Sequence, residues 1–147
     1  MQRREFIRLV SGTFAFLLLT PIKALAAIWN KNAFETAQLS EAEKNLGINN
    51  KKLSHDIEIT APDKAENGAI VQIEVISNIP NTEAIFVLVE KNPTPLIAHF
   101  KFSNGAEPFV VTRIKMAETS DVHIVVKSGE QYFTRAKNIT VLENGCS

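Results

Sequence analysis

The 147-residue chain has one cysteine, Cys146, next to its last residue in the stretch Glu143-Asn144-Gly145-Cys146-Ser147. Structural cysteines are among the most buried residues, whereas chain ends are exposed unless something ties them down. The position therefore argues that Cys146 does not serve packing. Gly145 has no side chain and permits positive φ, and Asn144 tolerates left-handed backbone better than most residues. Together they form a flexible tether on which the thiol can enter a cleft of another protein. Glu143 and the terminal carboxylate of Ser147 bring negative charge close to the thiol and push its pKa up. The free chain then holds little thiolate, and a partner's site would have to supply the positive charge that activates it. This fits a carried group better than an autonomous nucleophile. A single cysteine cannot pair within its own chain, which leaves an intermolecular disulfide as the other use.

Little else in the sequence has the spacing of a catalytic site. His55, His99 and His123 fall in or beside predicted strands, with no His-x-His pair and no adjacent carboxylate arrangement. They are expected to be solvent-facing strand residues, and no metal site is assigned. No Gly-x-Ser-x-Gly elbow, phosphate loop or dinucleotide fingerprint occurs. Asn138-Ile139-Thr140 fits a glycosylation acceptor and is taken as an accidental match. No catalytic residue and no cofactor of its own is assigned to the chain.

The N-terminus sets the compartment. Arg3-Arg4 precedes Phe6-Ile7-Arg8, an apolar run to Leu19 and then Ala24-Leu25-Ala26, a twin-arginine signal peptide with an A-x-A cleavage site over residues 1–26. The apolar stretch from Gly12 to Thr20 is shorter than the roughly 20 residues a membrane-spanning helix needs. The mature chain is expected to begin near Ala27, in a bacterial periplasm, with no membrane segment. Losing Arg3, Arg4, Arg8 and Lys23 against Glu5 takes the full chain, with its 16 basic and 16 acidic residues, to about −3. A weakly acidic surface argues against nucleic acid as a partner. The twin-arginine route carries folded proteins, so a bound cofactor or a partner subunit without its own signal would have to be assembled before export.

The elements that must position the thiol follow from the patterning. Residues 27–52 read as one or two short helices and a polar linker. Ser40 and Glu43 are spaced as a capping box, Gly47 is placed to end the helix, and Phe34, Ala37, Ala42 and Leu46 form the buried side. Residues 53–142 read as short β-branched and aromatic runs: Asp56–Thr60, Ala69–Ser77, Ala84–Glu90, Ile97–Phe102, Phe109–Ile114, Val122–Lys127, Gln131–Ala136 and Ile139–Leu142. Runs of this length and spacing predict an all-β antiparallel sandwich. Val71, Ile73 and Val75 face one way against Gln72 and Glu74, and Val122, Ile124 and Val126 are offset from His123. Asn104-Gly105 and Ser128-Gly129 carry turn chemistry. Ala84–Val89 is apolar on both faces. This predicts either an ordinary central strand or an outer apolar side which, with Pro93 and Pro95, is a candidate subunit interface. Residues 143–147 are expected to be a mobile tail.

Taken together, the signal, "AFETAQLSEAEKNLG", "IEITAPDKAENGAIVQIEV", "VEKNPTPLIAHFKF", "VTRIKMAETSDVHIVVK" and the cysteine near the C-terminus resemble SoxY, the sulfur-carrier subunit of the periplasmic thiosulfate-oxidising Sox system. The resemblance implies an immunoglobulin-like sandwich. It also implies a non-catalytic carrier that holds thiosulfate- or sulfide-derived sulfur covalently on Cys146 while partner enzymes work on it. The implied partners are a SoxZ-like subunit in a heterodimer, a haem-containing enzyme, a hydrolase and a molybdenum–haem enzyme. The ending departs from the family's usual Gly-Gly-Cys-Gly-Gly, since Asn144 and Ser147 stand where glycines are usual. The alternative from another class is a structural or adaptor sandwich whose terminal cysteine is incidental or links a dimer.

Overall fold

Alternating burial along the strands builds two facing sheets. The computed structural model describes residues 30–143, so the signal segment over 1–26 and Asn144–Ser147 lie outside the described residues. Its elements are α1 (Lys31–Glu35), α2 (Leu39–Asn45), β1 (Lys52–Leu53), β2 (Ile57–Thr60), β3 (Lys64–Asn67), β4 (Val71–Ser77), β5 (Ala84–Val89), β6 (Leu96–Lys101), β7 (Phe109–Ile114), β8 (Ser120–Ser128) and β9 (Gln131–Glu143). One sheet has the order β1-β9-β8-β5-β6 with β3 also on β9, and the other has the order β2-β4-β7. Ile85, Val87 and Val89 of β5 and Val122, Ile124 and Val126 of β8 point inward to meet Val71, Ile73 and Val75 of β4 and Ile57, Val110 and Ile114. The result is the expected immunoglobulin-like sandwich, antiparallel except that β1 and β3 each run parallel to β9.

The outer face of β5 is covered by the chain itself. All six residues of β5 are buried. On the outer side Ala84, Phe86 and Leu88, with Leu96 and Val125, lie under Ala33, Ala42 and Ile48, bordered by Phe34, Leu39, Leu46 and Tyr132. Of the two expectations for this strand, the subunit interface is therefore overturned: α1 and α2 occupy that side. Helices of 5 and 7 residues are too short to persist alone. Burial of the apolar side chains beneath them, at about 1.5–3 kcal/mol for each large one, holds the layer in place.

Local signals at the helix ends were partly misleading. Asn30 Oδ1 accepts from the Ala33 N–H at 3.2 Å, and its Nδ2 donates to the Asn45 carbonyl at 2.8 Å, so one side chain caps the start of α1 and the end of α2. The expected Ser40–Glu43 capping box does not form. Ser40 lies inside α2, whose N-cap is Gln38, and Glu43 pairs with Lys51 instead. Ala37 is exposed, and Ala33 takes the buried place. Gly47 ends α2 as expected: at φ +72° it donates to the Lys44 carbonyl at 3.0 Å while the Ile48 N–H donates to Glu43 at 2.9 Å, a Schellman closure.

The strand boundaries shift where polar residues pair through their backbone. Lys52–Leu53, at the border between the expected linker and the sandwich, forms β1 on β9, and the charged Lys64–Asn67, which has no apolar alternation, forms β3. The two final runs are one strand, because Lys137 and Asn138 stay in register opposite Val122 and Asp121. Ser128 pairs with Gln131, leaving Gly129 and Glu130 as the hairpin loop, with positive φ only at Gly129. Among the described residues no helix is long and apolar enough to cross a membrane.

Ala42 is fully buried against the sheet, so Ala42→Leu is expected to overpack the helical layer and cost about 1–3 kcal/mol. Ala37→Leu, at an exposed position, should stay within about 0.5 kcal/mol of the parent. Urea denaturation midpoints of the two variants check this.

Candidate functional site

The structure fixes the root of the cysteine tail. Ile139 and Val141 are buried in the core, and β9 continues past them, paired Lys64↔Thr140, Ala65↔Val141 and Asn67↔Glu143 with β3. The Gly68 N–H donates to the Glu143 carbonyl at 2.9 Å, and the Met116 N–H donates to the Gly68 carbonyl at 2.8 Å. Asn67 Oδ1 accepts from the Ala69 N–H at 2.7 Å and shapes that turn. On the other side Thr119 Oγ1 accepts from the Val141 N–H at 2.9 Å. Glu143, expected in the tail, is thus part of β9 and still paired, and it is the last described residue. Leu142 and Ile70, on either side of the Gly68–Glu143 contact in sequence, are exposed at 65% and 68%. They give the root of the tail an apolar surface.

Asn144, Gly145 and Cys146 lie outside the described residues. Chain geometry still bounds them, because three residues beyond Glu143 reach at most about 10 Å.

An open cavity of about 970 Å³ lies at the other end of β9 and is lined by Lys31, Glu83, Phe86, His99, Lys127 and Tyr132, among others. Tyr132 and Glu143 are eleven strand residues apart, roughly 35 Å along β9 at about 3.3 Å per residue. The cavity is therefore remote from Glu143, the last described residue before the cysteine. Within it Lys127 donates to Glu83 at 2.8 Å. This bond lowers the Glu83 pKa and raises that of Lys127.

The three histidines take different places. His55 is exposed, as expected, whereas His99 and His123 are half-buried, contrary to the expectation of solvent-facing residues. The His99 ring stacks on Phe86, its cross-strand partner, with centroids 4.3 Å apart and planes at 26°. Burial pushes its pKa down, and the charge of Lys101 two residues on adds to the effect. His123 also contradicts the expectation of no adjacent carboxylates: Glu90 and Asp121 stand beside it, with one potential ligand atom from each of the three residues all within 4.8 Å of one another. Sequence spacing alone could not have found Glu90, which comes from another strand. The signal available was the pairing of β5 with β8.

The family model for the sulfur oxidation protein SoxY matches residues 43–146, from the second helix to the cysteine. The chain belongs to the SoxY family. Among solved structures it is similar to the sulfur carrier protein SoxY from Chlorobium limicola f thiosulfatophilum, at 31% identity and a TM-score of 0.66, over 77% of this chain and 99% of that one. Among curated proteins none matches. The matched SoxY region holds the whole sandwich and Cys146, and leaves out α1 and the first turn of α2 as far as Ala42.

His99 supplies a pH test. Its neutral form is favoured in the fold, so the unfolded chain binds the proton more readily. The resulting stability is present above the unfolded histidine value of about 6.5 and is lost as pH falls through the lower folded value. The denaturation midpoint is expected to drop between about pH 7.5 and 5.5, and His99→Phe, which keeps a ring on Phe86, should make that drop smaller.

Proposed function

We propose that this SoxY-family chain is a non-catalytic sulfur carrier whose Cys146 is the covalent attachment point, with Asn144 and Gly145 as its short tether. The observation that carries the proposal is a family match that extends through residue 146. It is supported by a β9 that is still paired at Glu143, three residues before the cysteine in sequence. The neighbouring solved structure is itself described as a sulfur carrier.

The chemistry balances as follows. The thiol and thiosulfate join through a new S–S bond to give Cys–S–S–SO₃⁻, releasing one proton and two electrons, which a haem-containing partner accepts. A hydrolase then uses water to release sulfate and two protons and leaves Cys–S–S⁻. The remaining sulfane sulfur is oxidised by a molybdenum–haem enzyme or passed on. The carrier contributes position and a single attachment atom, and the partners contribute the redox and hydrolytic groups. In this proposal the chain acts in the periplasm after twin-arginine export, paired with a SoxZ-like subunit that has no signal of its own.

Intact mass measurement of the exported protein is expected to show reductant-labile sulfur or sulfonate adducts on the C-terminal peptide. Cys146→Ser should remove both the adducts and thiosulfate-dependent turnover by the partner enzymes. Unchanged turnover in that variant would sink the proposal, and a disulfide-linked dimer as the only modification would favour an adaptor.

A further inference from the structure

Glu90, Asp121 and His123 share one face of the larger sheet. Leu88 pairs with His123 across β5 and β8, and the Glu90 N–H donates to the Asp121 carbonyl at 3.2 Å. Strand alternation therefore puts the Glu90, Asp121 and His123 side chains on the side opposite the core residues Val89 and Val122. His123 Nε2 is buried and has no hydrogen-bond partner among the described residues. It lies 3.6 Å from Glu90 Oε2, too far for a hydrogen bond. Asp121 is held by Asn138 on β9, whose Nδ2 donates to Oδ1 at 2.7 Å.

No lysine or arginine offsets the two carboxylates. Among the described residues none pairs with Glu90 or Asp121: the nearby Lys91 pairs with Glu118 at 3.6 Å and Lys137 with Asp63 at 3.0 Å. The one positive charge open to Glu90 there is that of His123 when protonated, so two carboxylates and an imidazole nitrogen without a hydrogen-bond partner converge with no permanent cation among them. Two ligands bound tetrahedrally at about 2.0–2.2 Å stand about 3.4 Å apart, close to the His123–Glu90 spacing. The exposed Glu90 can swing to close the remaining gap to Asp121. Asn138 orients one carboxylate from outside, as outer partners of metal ligands do.

We propose that Glu90, Asp121 and His123 bind a zinc-like divalent cation through His123 Nε2 and one oxygen of each carboxylate, with water in the fourth position. A nitrogen donor beside two oxygens suits zinc-like ions over magnesium or calcium. The ion would tie β5 to β8 and stabilise the folded chain by mass action.

The test is titration of zinc alone into the full chain carrying Cys146→Ser, which removes the competing thiolate, followed by calorimetry and by denaturation with and without the metal. One saturable site per chain and a raised denaturation midpoint are expected. Glu90→Gln, at an exposed position that leaves the core untouched, and His123→Gln should each weaken binding at least about tenfold, and Asn138→Ala about tenfold. His55→Gln and His99→Gln should leave it unchanged. Absence of saturable binding overturns the proposal, and so does binding that survives both Glu90→Gln and His123→Gln, because the ion then sits elsewhere.

Discussion

The pairing of β9 is the constraint on which the rest of the molecule depends. It lies antiparallel to β8 over nine residue pairs, takes β1 and β3 in parallel on its other edge, and sends Arg135 Nη1 across to the Ile57 carbonyl of the second sheet at 2.7 Å. Side chains alternate with a period of two, so a slip of one residue would turn Ile139 and Val141 out of the core. The hydrophobic contact that fixes this register also fixes where Glu143 stands, and with it the origin of the cysteine tail.

The β3 pairing and the Thr119 hydroxyl keep the described end of β9 from fraying. Glu143 is thereby held at one end of the sandwich, three residues before Cys146 in sequence. The cavity lies at the opposite end of β9, and the helical layer closes the outer face of β5. The Glu90–Asp121–His123 group sits between these extremes, on strands that no short-range sequence signal would join.

The core was legible in the sequence to a good approximation. Val71, Ile73 and Val75 read as one face of a strand and are one, and the turn glycines Gly47, Gly105 and Gly129 all adopt positive φ. Failures came where side-chain type and backbone pairing disagreed. Lys64–Asn67 looks like a loop because its stability as a strand comes from hydrogen bonds to β9, which polar side chains neither help nor prevent. Lys137-Asn138 looks like a break for the same reason. The Ser40–Glu43 spacing fits a capping box, but α2 begins before Ser40, and Glu43 is drawn to Lys51.

By itself the sequence determined the class of fold, the apolar faces of the main strands and the single thiol at the end of the chain. Each of these is a local property, set by alternation, turn chemistry or residue identity. Only the tertiary structure decided what covers the second apolar face of β5, how far the chain stays paired before the cysteine, and which carboxylates approach His123. These are contacts between segments far apart in sequence, and they form because the buried faces and hydrogen-bonded edges of whole sheets leave the chain one register in which to meet.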